Sequence, residues 1–360
     1  MSWLGRLNRG ETQIDFLKWW RRSLILSAAL VVISVLSLVV RGLDLGIDYE
    51  GGVSYEVAAP GVSTEEARTA LETVGEGSAK IQIVGTDTLR VQGPESTPEQ
   101  TIEVRRTLAQ LADTDPANVS VSSVGASWGG DITRSAIRAL VFFFIAILIY
   151  LTIRLELRMA IAAIVAVVHD VLISVGVYSV FQFEVTPATV IAFLTILGYS
   201  IYDTIVVDDK IKENQGLVGL SGQMTYAQMT SLSMNQVLLR SINTTVTSMI
   251  PVISLLVVGA EIMGAVTLEE FAVALTVGLG VGAYSSIFVA APVLVFLTER
   301  QPKFRAIRER LQSQGVSIDR AAVPATTSGE SAPVDGTTAS APRTATGVIP
   351  PRPRKKTRRR

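Results

Sequence analysis

Six apolar runs constrain this 360-residue chain more than any other feature, falling at residues 24–40, 135–153, 159–181, 187–207, 242–259 and 271–297. A helix needs about twenty apolar residues to cross a hydrocarbon core of about 30 Å, so each run is read as a membrane span. Hydrophobic residues make up 48% of the chain, which is too apolar for a soluble domain of this size. The first run follows basic residues and lacks a small-residue cleavage site, so it reads as a retained helix rather than a leader. There is no cysteine, which excludes disulfides, thiol nucleophiles and Cys-based metal sites.

Basic residues near helix ends favour the cytoplasm. Lys18, Arg21 and Arg22 precede the first run, Arg154 and Arg158 separate the second from the third, and Lys210, Lys212 and Arg240 lie between the fourth and fifth. The opposite loops, 182–186 and 260–268, hold no Lys or Arg. Both termini (1–23 and 301–360) and a 208–240 loop are therefore expected in the cytoplasm, and the polar stretch 46–127 outside.

That stretch parses by period. Residues 53–58 alternate as a strand, the stretch from Ser63 reads as a helix opened by a Ser or Thr cap with Glu behind it, 79–84 and 88–92 form two strands around a Gly-Thr-Asp turn, 98–112 is helical, and 119–124 closes the set. The order βαββαβ predicts an α+β ferredoxin-like external domain joined to an all-α bundle of six transmembrane helices. Such a sandwich alone assigns no task.

After residue 301 one amphipathic helix is expected, followed from Ala322 by a Pro, Ser, Thr, Ala and Gly-rich segment ending in PPRPRKKTRRR, too polar to fold. The zero formal charge hides this basic end. It reads as a topology-fixing tail, with anionic membrane lipids or ribosomal RNA as its candidate contacts.

An ionisable side chain in a bilayer costs about 2.5–3.5 kcal/mol on insertion scales, so each one asks for a reason. Asp203 lies in the fourth run, about 8 Å inside the boundary marked by Asp208, Asp209 and Lys210. Arg240 opens the fifth run at similar depth, and the antiparallel course of the two helices predicts an Asp203–Arg240 pair. Opposed effects of Arg and burial on one carboxyl are what a proton relay uses; a static ion pair is the competing reading. His169 and Asp170, mid-way along the third run, are further candidates on this polar path. His169 is the only histidine, which argues against zinc. The hydroxyl-rich SINTTVTS run after Arg240 offers groups to order water near Asp203, and Pro187, Pro251 and Pro292 are candidate bends.

These residues resemble the SecF family of protein-export membrane subunits. LGIDYEGG at 45–52 is similar to the family's Ile-Asp-Phe-x-Gly-Gly signature, HDV at 169–171 to its third-helix motif, and GYSIYDTIVVDDKIKEN at 198–214 to its fourth-helix signature. RSINTTVTS after Leu239 and AYSSIFVAAPVL from Ala283 resemble the fifth- and sixth-helix motifs. Tyr202 stands where Asn is usual, and Lys210 and Lys212 where Arg is usual. The resemblance implies half of a resistance-nodulation-division-like unit in the bacterial cytoplasmic membrane, completed by SecD. It implies a non-enzymatic factor without a cofactor that assists the SecYEG channel in late export, with YajC and YidC in the wider assembly. The driving force would be a proton gradient, or sodium in some members, and the substrate a translocating unfolded polypeptide. Carried over by position, Asp203 and Arg240 would be the relay pair and Asp48, Gly51 and Gly52 the hinge of the external domain.

Two rivals fit the same residues. A half-size proton-coupled exporter of lipids or small molecules would share the buried charges, but such exporters usually carry much larger external domains. A scaffold with static ion pairs would show no titration of Asp203.

Overall fold

The computed structural model describes residues 14–85, 87–221, 224–262 and 265–314. The tail from Ala322, expected to lack a core, lies outside them, as does Thr86 of the expected turn.

Six described helices are long and apolar enough to cross a membrane. They begin with α1 (Phe16–Val40). The short strand β1 (Asp44–Leu45) and the one-turn helix α2 (Ile47–Glu50) lead into an extramembrane domain. Its elements are β2 (Gly52–Ala58), α3 (Thr64–Glu72), β3 (Lys80–Val84), β4 (Thr88–Gly93), α4 (Pro98–Leu111) and β5 (Ser120–Val124). The bundle resumes with α5 (Ala126–Arg154) and α6 (Leu157–Phe181). Strand β6 (Glu184–Val185) precedes α7 (Pro187–Ser221), and α8 (Tyr226–Leu255) follows. The last span is α9 (Val266–Ser285), a π-helical turn (Ser286–Ala290) and α10 (Ala291–Glu299); amphipathic α11 (Pro302–Ser313) comes after it.

Both helices of the domain open with reciprocal capping boxes, Ser63 with Glu66 and Thr97 with Gln100, which satisfy donors that a helix start otherwise leaves bare. The four strands form one antiparallel sheet in the order β3-β4-β2-β5. Because side chains alternate along a strand, Val53, Tyr55, Val57, Leu89 and Val91 face the two helices and close a core with Leu71, Val104 and Leu108. The opposite face, from Ser54, Glu56, Arg90, Gln92, Ser120 and Ser122, is polar and borders the bundle across a cavity of about 290 Å³. A second ribbon pairs β1 with β6, Asp44 opposite Glu184 and Leu45 opposite Val185.

The 208–240 stretch, expected as a loop, is helical almost throughout. Its charged run carries Ile211 and Val218 at helical spacing, and both are fully buried, so α7 continues past the apolar run instead of ending at Val207.

The bundle packs closely where side chains are small. A Cβ at Gly176 would fall onto Ser34 of α1, and one at Gly282 would meet Ser200 Cβ at 2.9 Å. The outer faces of α1 and α5 expose Val39, Val40, Phe142 and Ile153, as lipid-facing helices do. Pro292 has no N–H to give Phe288, and that carbonyl instead accepts from Ser23 Oγ of α1 at 3.3 Å.

Candidate functional site: two buried carboxylates in the bundle

Asp203 projects from α7 into the bundle and is 5% exposed. Its Oδ2 accepts from Ser241 Oγ of α8 and from Ser286 Oγ at the start of the π-helical turn, both at 2.7 Å. Asp170 of α6 is 2% exposed and is held in the same way: Oδ2 accepts from Ser200 Oγ of α7 at 2.6 Å and from Ser285 Oγ of α9 at 2.8 Å. Its Oδ1 lies 3.1 Å from His169 Nδ1. His169 Nε2 is buried without a hydrogen-bond partner among the described residues, and Tyr284 lies beside its ring, centroids 6.2 Å apart. Two carboxylates on neighbouring helices thus each gather two hydroxyls, and one Ser-Ser step of the last span serves both.

The expected Asp203–Arg240 pair does not form. Arg240 is exposed, and its Nη2 donates to the Tyr202 hydroxyl at 3.2 Å. Consecutive residues on a helix point about 100° apart, so once Ser241 faces Asp203, Arg240 must face elsewhere, and Tyr202 turns away from Asp203 for the same reason. Tyr202, the departure from the usual Asn, is therefore the residue that holds Arg240. The hydroxyl-rich run after Arg240 also contributes less than expected: Thr244, Thr245 and Thr247 bond carbonyls of their own helix, and Ser241 alone is seen bonded to Asp203.

Asp208, expected to mark the membrane boundary, is 1% exposed, with Oδ2 unpartnered among the described residues, while its neighbour Asp209 pairs with Arg154 at 2.8 Å. No sequence signal separated these two adjacent aspartates; only the continuation of α7 does.

Asp48 sits on α2, followed by Gly51 (φ 82°) and Gly52 (φ 132°) at the entry to β2. Both angles favour glycine, and a Cβ at Gly52 would fall onto the Gly93 carbonyl oxygen. Burial and then the Glu184 charge raise the Asp48 carboxyl above its ordinary range, against the pull of Arg90. Burial pushes the neighbouring Tyr49 phenol up to about 12. Among the described residues no group of three or more His, Cys, Asp or Glu side chains is arranged to hold a metal.

Six described membrane-length helices with paired buried carboxylates among them, and one α/β domain inserted after the first, define a polytopic membrane protein with an ionisable core. Residues 36–59 match the SecD/SecF GG motif, and residues 103–300 match the C-terminal region of the protein export membrane proteins SecD and SecF. A protein translocase subunit SecF from Streptomyces coelicolor is 39% identical, with 86% of this chain and 85% of that protein covered. One from Mycobacterium tuberculosis is 36% identical, with 98% and 85% covered. The crystal structure of SecDF, a translocon-associated membrane protein from Thermus thermophilus, superposes with a TM-score of 0.73 at 32% identity over 81% of this chain, which spans 39% of that longer one. The chain belongs to the SecF family.

Proposed function

We propose that this chain is an accessory subunit of the Sec protein translocase, acting with SecD to promote late steps of protein export. It is a translocation factor and not an enzyme. Membership of the SecF family supports the reading, and the observation that carries it is Asp203, buried among spanning helices and held by hydroxyls from two of them. A carboxyl held only by hydroxyls on the atom that binds them can take up and release a proton without breaking an ion pair, which suits a relay coupled to a proton or sodium gradient. One charge crossing 100 mV releases about 2.3 kcal/mol, enough to bias a conformational cycle. Asp170 with His169 is a second station in this reading, and Arg240 a cation presented to the partner half.

The basic helix ends support a reading with both termini in the cytoplasm of a bacterial cell and the domain on the outer side. The strand order β3-β4-β2-β5 favours a ferredoxin-like sandwich. Gly51 and Gly52 act as its hinge, and the domain meets polypeptide emerging from SecYEG, with YajC and YidC as further neighbours. The test is preprotein translocation into inverted vesicles containing SecD and the channel. Asp203→Asn at equal protein level should abolish the stimulation by a gradient while assembly persists; unchanged stimulation would reduce the site to a structural tie.

A further inference from the structure

The extramembrane domain and the bundle have separate hydrophobic cores, and the sheet face between them is polar. Its centre is Arg90, 7% exposed. On its own sheet Nε donates to Glu56 Oε1 at 2.9 Å, the residue directly opposite it in the β2–β4 register. Across the gap Nη1 donates to Glu270 Oε1 of α9 at 2.6 Å and to Glu184 Oε2 of β6 at 3.0 Å. Gln92, two residues on and on the same face, donates to Glu184 Oε1 at 2.7 Å, and Thr186 Oγ1 donates to the other oxygen of Glu270 at 3.0 Å. Asp48 lines the same cavity, and Lys80, bonded to Asp44 at 2.6 Å, comes within 3.9 Å of Glu184. One guanidinium thus serves three carboxylates.

We propose that Arg90 is a releasable clamp that fixes the domain on the bundle and couples it to the ion site, a role that rests on the ion-relay reading of Asp203. Glu270 opens α9, and Ser285 and Ser286 lie fifteen and sixteen residues further along the same span, about 22–24 Å at 1.5 Å per residue. A shift of this helix that changes the serine contacts of Asp170 and Asp203 also moves Glu270 against Arg90. The planar fork of Arg suits several carboxylates at once, and a buried pair is strongly destabilised by loss of one partner, so the contact behaves as held or released rather than graded. The glycine pair Gly51–Gly52 supplies the pivot.

The chain has no cysteine, so spin labels at Glu99→Cys on the domain and Phe181→Cys on the bundle report their separation by pulsed electron resonance in nanodiscs holding the full chain with SecD. The expected result is one narrow distance for the parent, a broadened distribution with a longer component for Arg90→Gln and equally for Glu270→Gln, and the narrow distance for Glu56→Gln, which loses only a contact within the domain. Glu270→Gln lies outside the domain core and separates release from misfolding. Gradient-stimulated export should fall at least tenfold in both releasing variants while gradient-independent export persists. An unchanged distribution in Arg90→Gln and Glu270→Gln, or full gradient stimulation despite broadening, overturns the proposal. If instead Asp203→Asn retains gradient stimulation, the relay reading fails, and the distances still decide whether Arg90 clamps the domain.

Discussion

Ser285 and Ser286 are neighbours in the chain, yet their hydroxyls go to different buried carboxylates, Asp170 at 2.8 Å and Asp203 at 2.7 Å. The π-helical turn starts between them, and such turns, costly in an ordinary helix, concentrate at functional sites. The pair makes the last span the common support of both acids.

Removing one donor should therefore act through one acid. A hydrogen bond to a charged group is worth about 1.5–3 kcal/mol, so Ser286→Ala should cut gradient-stimulated export severalfold. It should add nothing in an Asp203→Asn background, because that variant has no gradient stimulation left to lose. Export rates of the two single variants and the double variant check this.

Arg240 should matter to function more than to the chain's own stability. It is exposed and bonded only weakly to Tyr202, so Arg240→Ala should change stability within about 0.5 kcal/mol. Thermal unfolding in detergent should barely move, whereas gradient-stimulated export should be lost.

Gly282 sets the approach of α9 to α7. Gly282→Ala brings a methyl onto Ser200, whose hydroxyl holds Asp170, and overpacking of this kind costs about 1–3 kcal/mol. A lower unfolding temperature, with a further loss for Gly282→Val, is the expected outcome in detergent.

The docked domain should hold more tightly as pH falls through the folded pKa of Asp48. The Asp48 carboxyl is raised in the folded chain, chiefly by burial and next by Glu184. Its charged form therefore weakens the fold above its folded pKa, and the cost is relieved as pH falls through that value. Protection of the β2 amides, corrected for the intrinsic pH dependence of exchange, should rise over this range. Asp48→Asn should reduce that rise; an undiminished rise would show that Asp48 does not carry it.

Much of this architecture was legible because membrane helices and capped surface helices are local signals. The apolar runs, the Ser or Thr cap at 63–64 and the alternation of 53–58 depend on nearby residues alone. Side-chain direction was the harder matter. Depth along two antiparallel helices suggested that Asp203 meets Arg240, but rotation about each axis decides the contact, and it favours Ser241. Arg90 was missed because its partners on the bundle lie 94 and 180 residues away. The signal available was a strand with Leu89 and Val91 on one face and Arg90 and Gln92 on the other, beside the 182–186 and 260–268 loops, which hold one Glu each and no Lys or Arg, with Glu269 and Glu270 next after the second.

Infrared difference spectroscopy of the full chain with SecD in lipid is the most direct test of the central claim, that Asp203 exchanges a proton. A protonated-carboxyl band that appears on acidification in the parent and is missing in Asp203→Asn is the predicted result. A pH titration with no band that depends on Asp203 would contradict it.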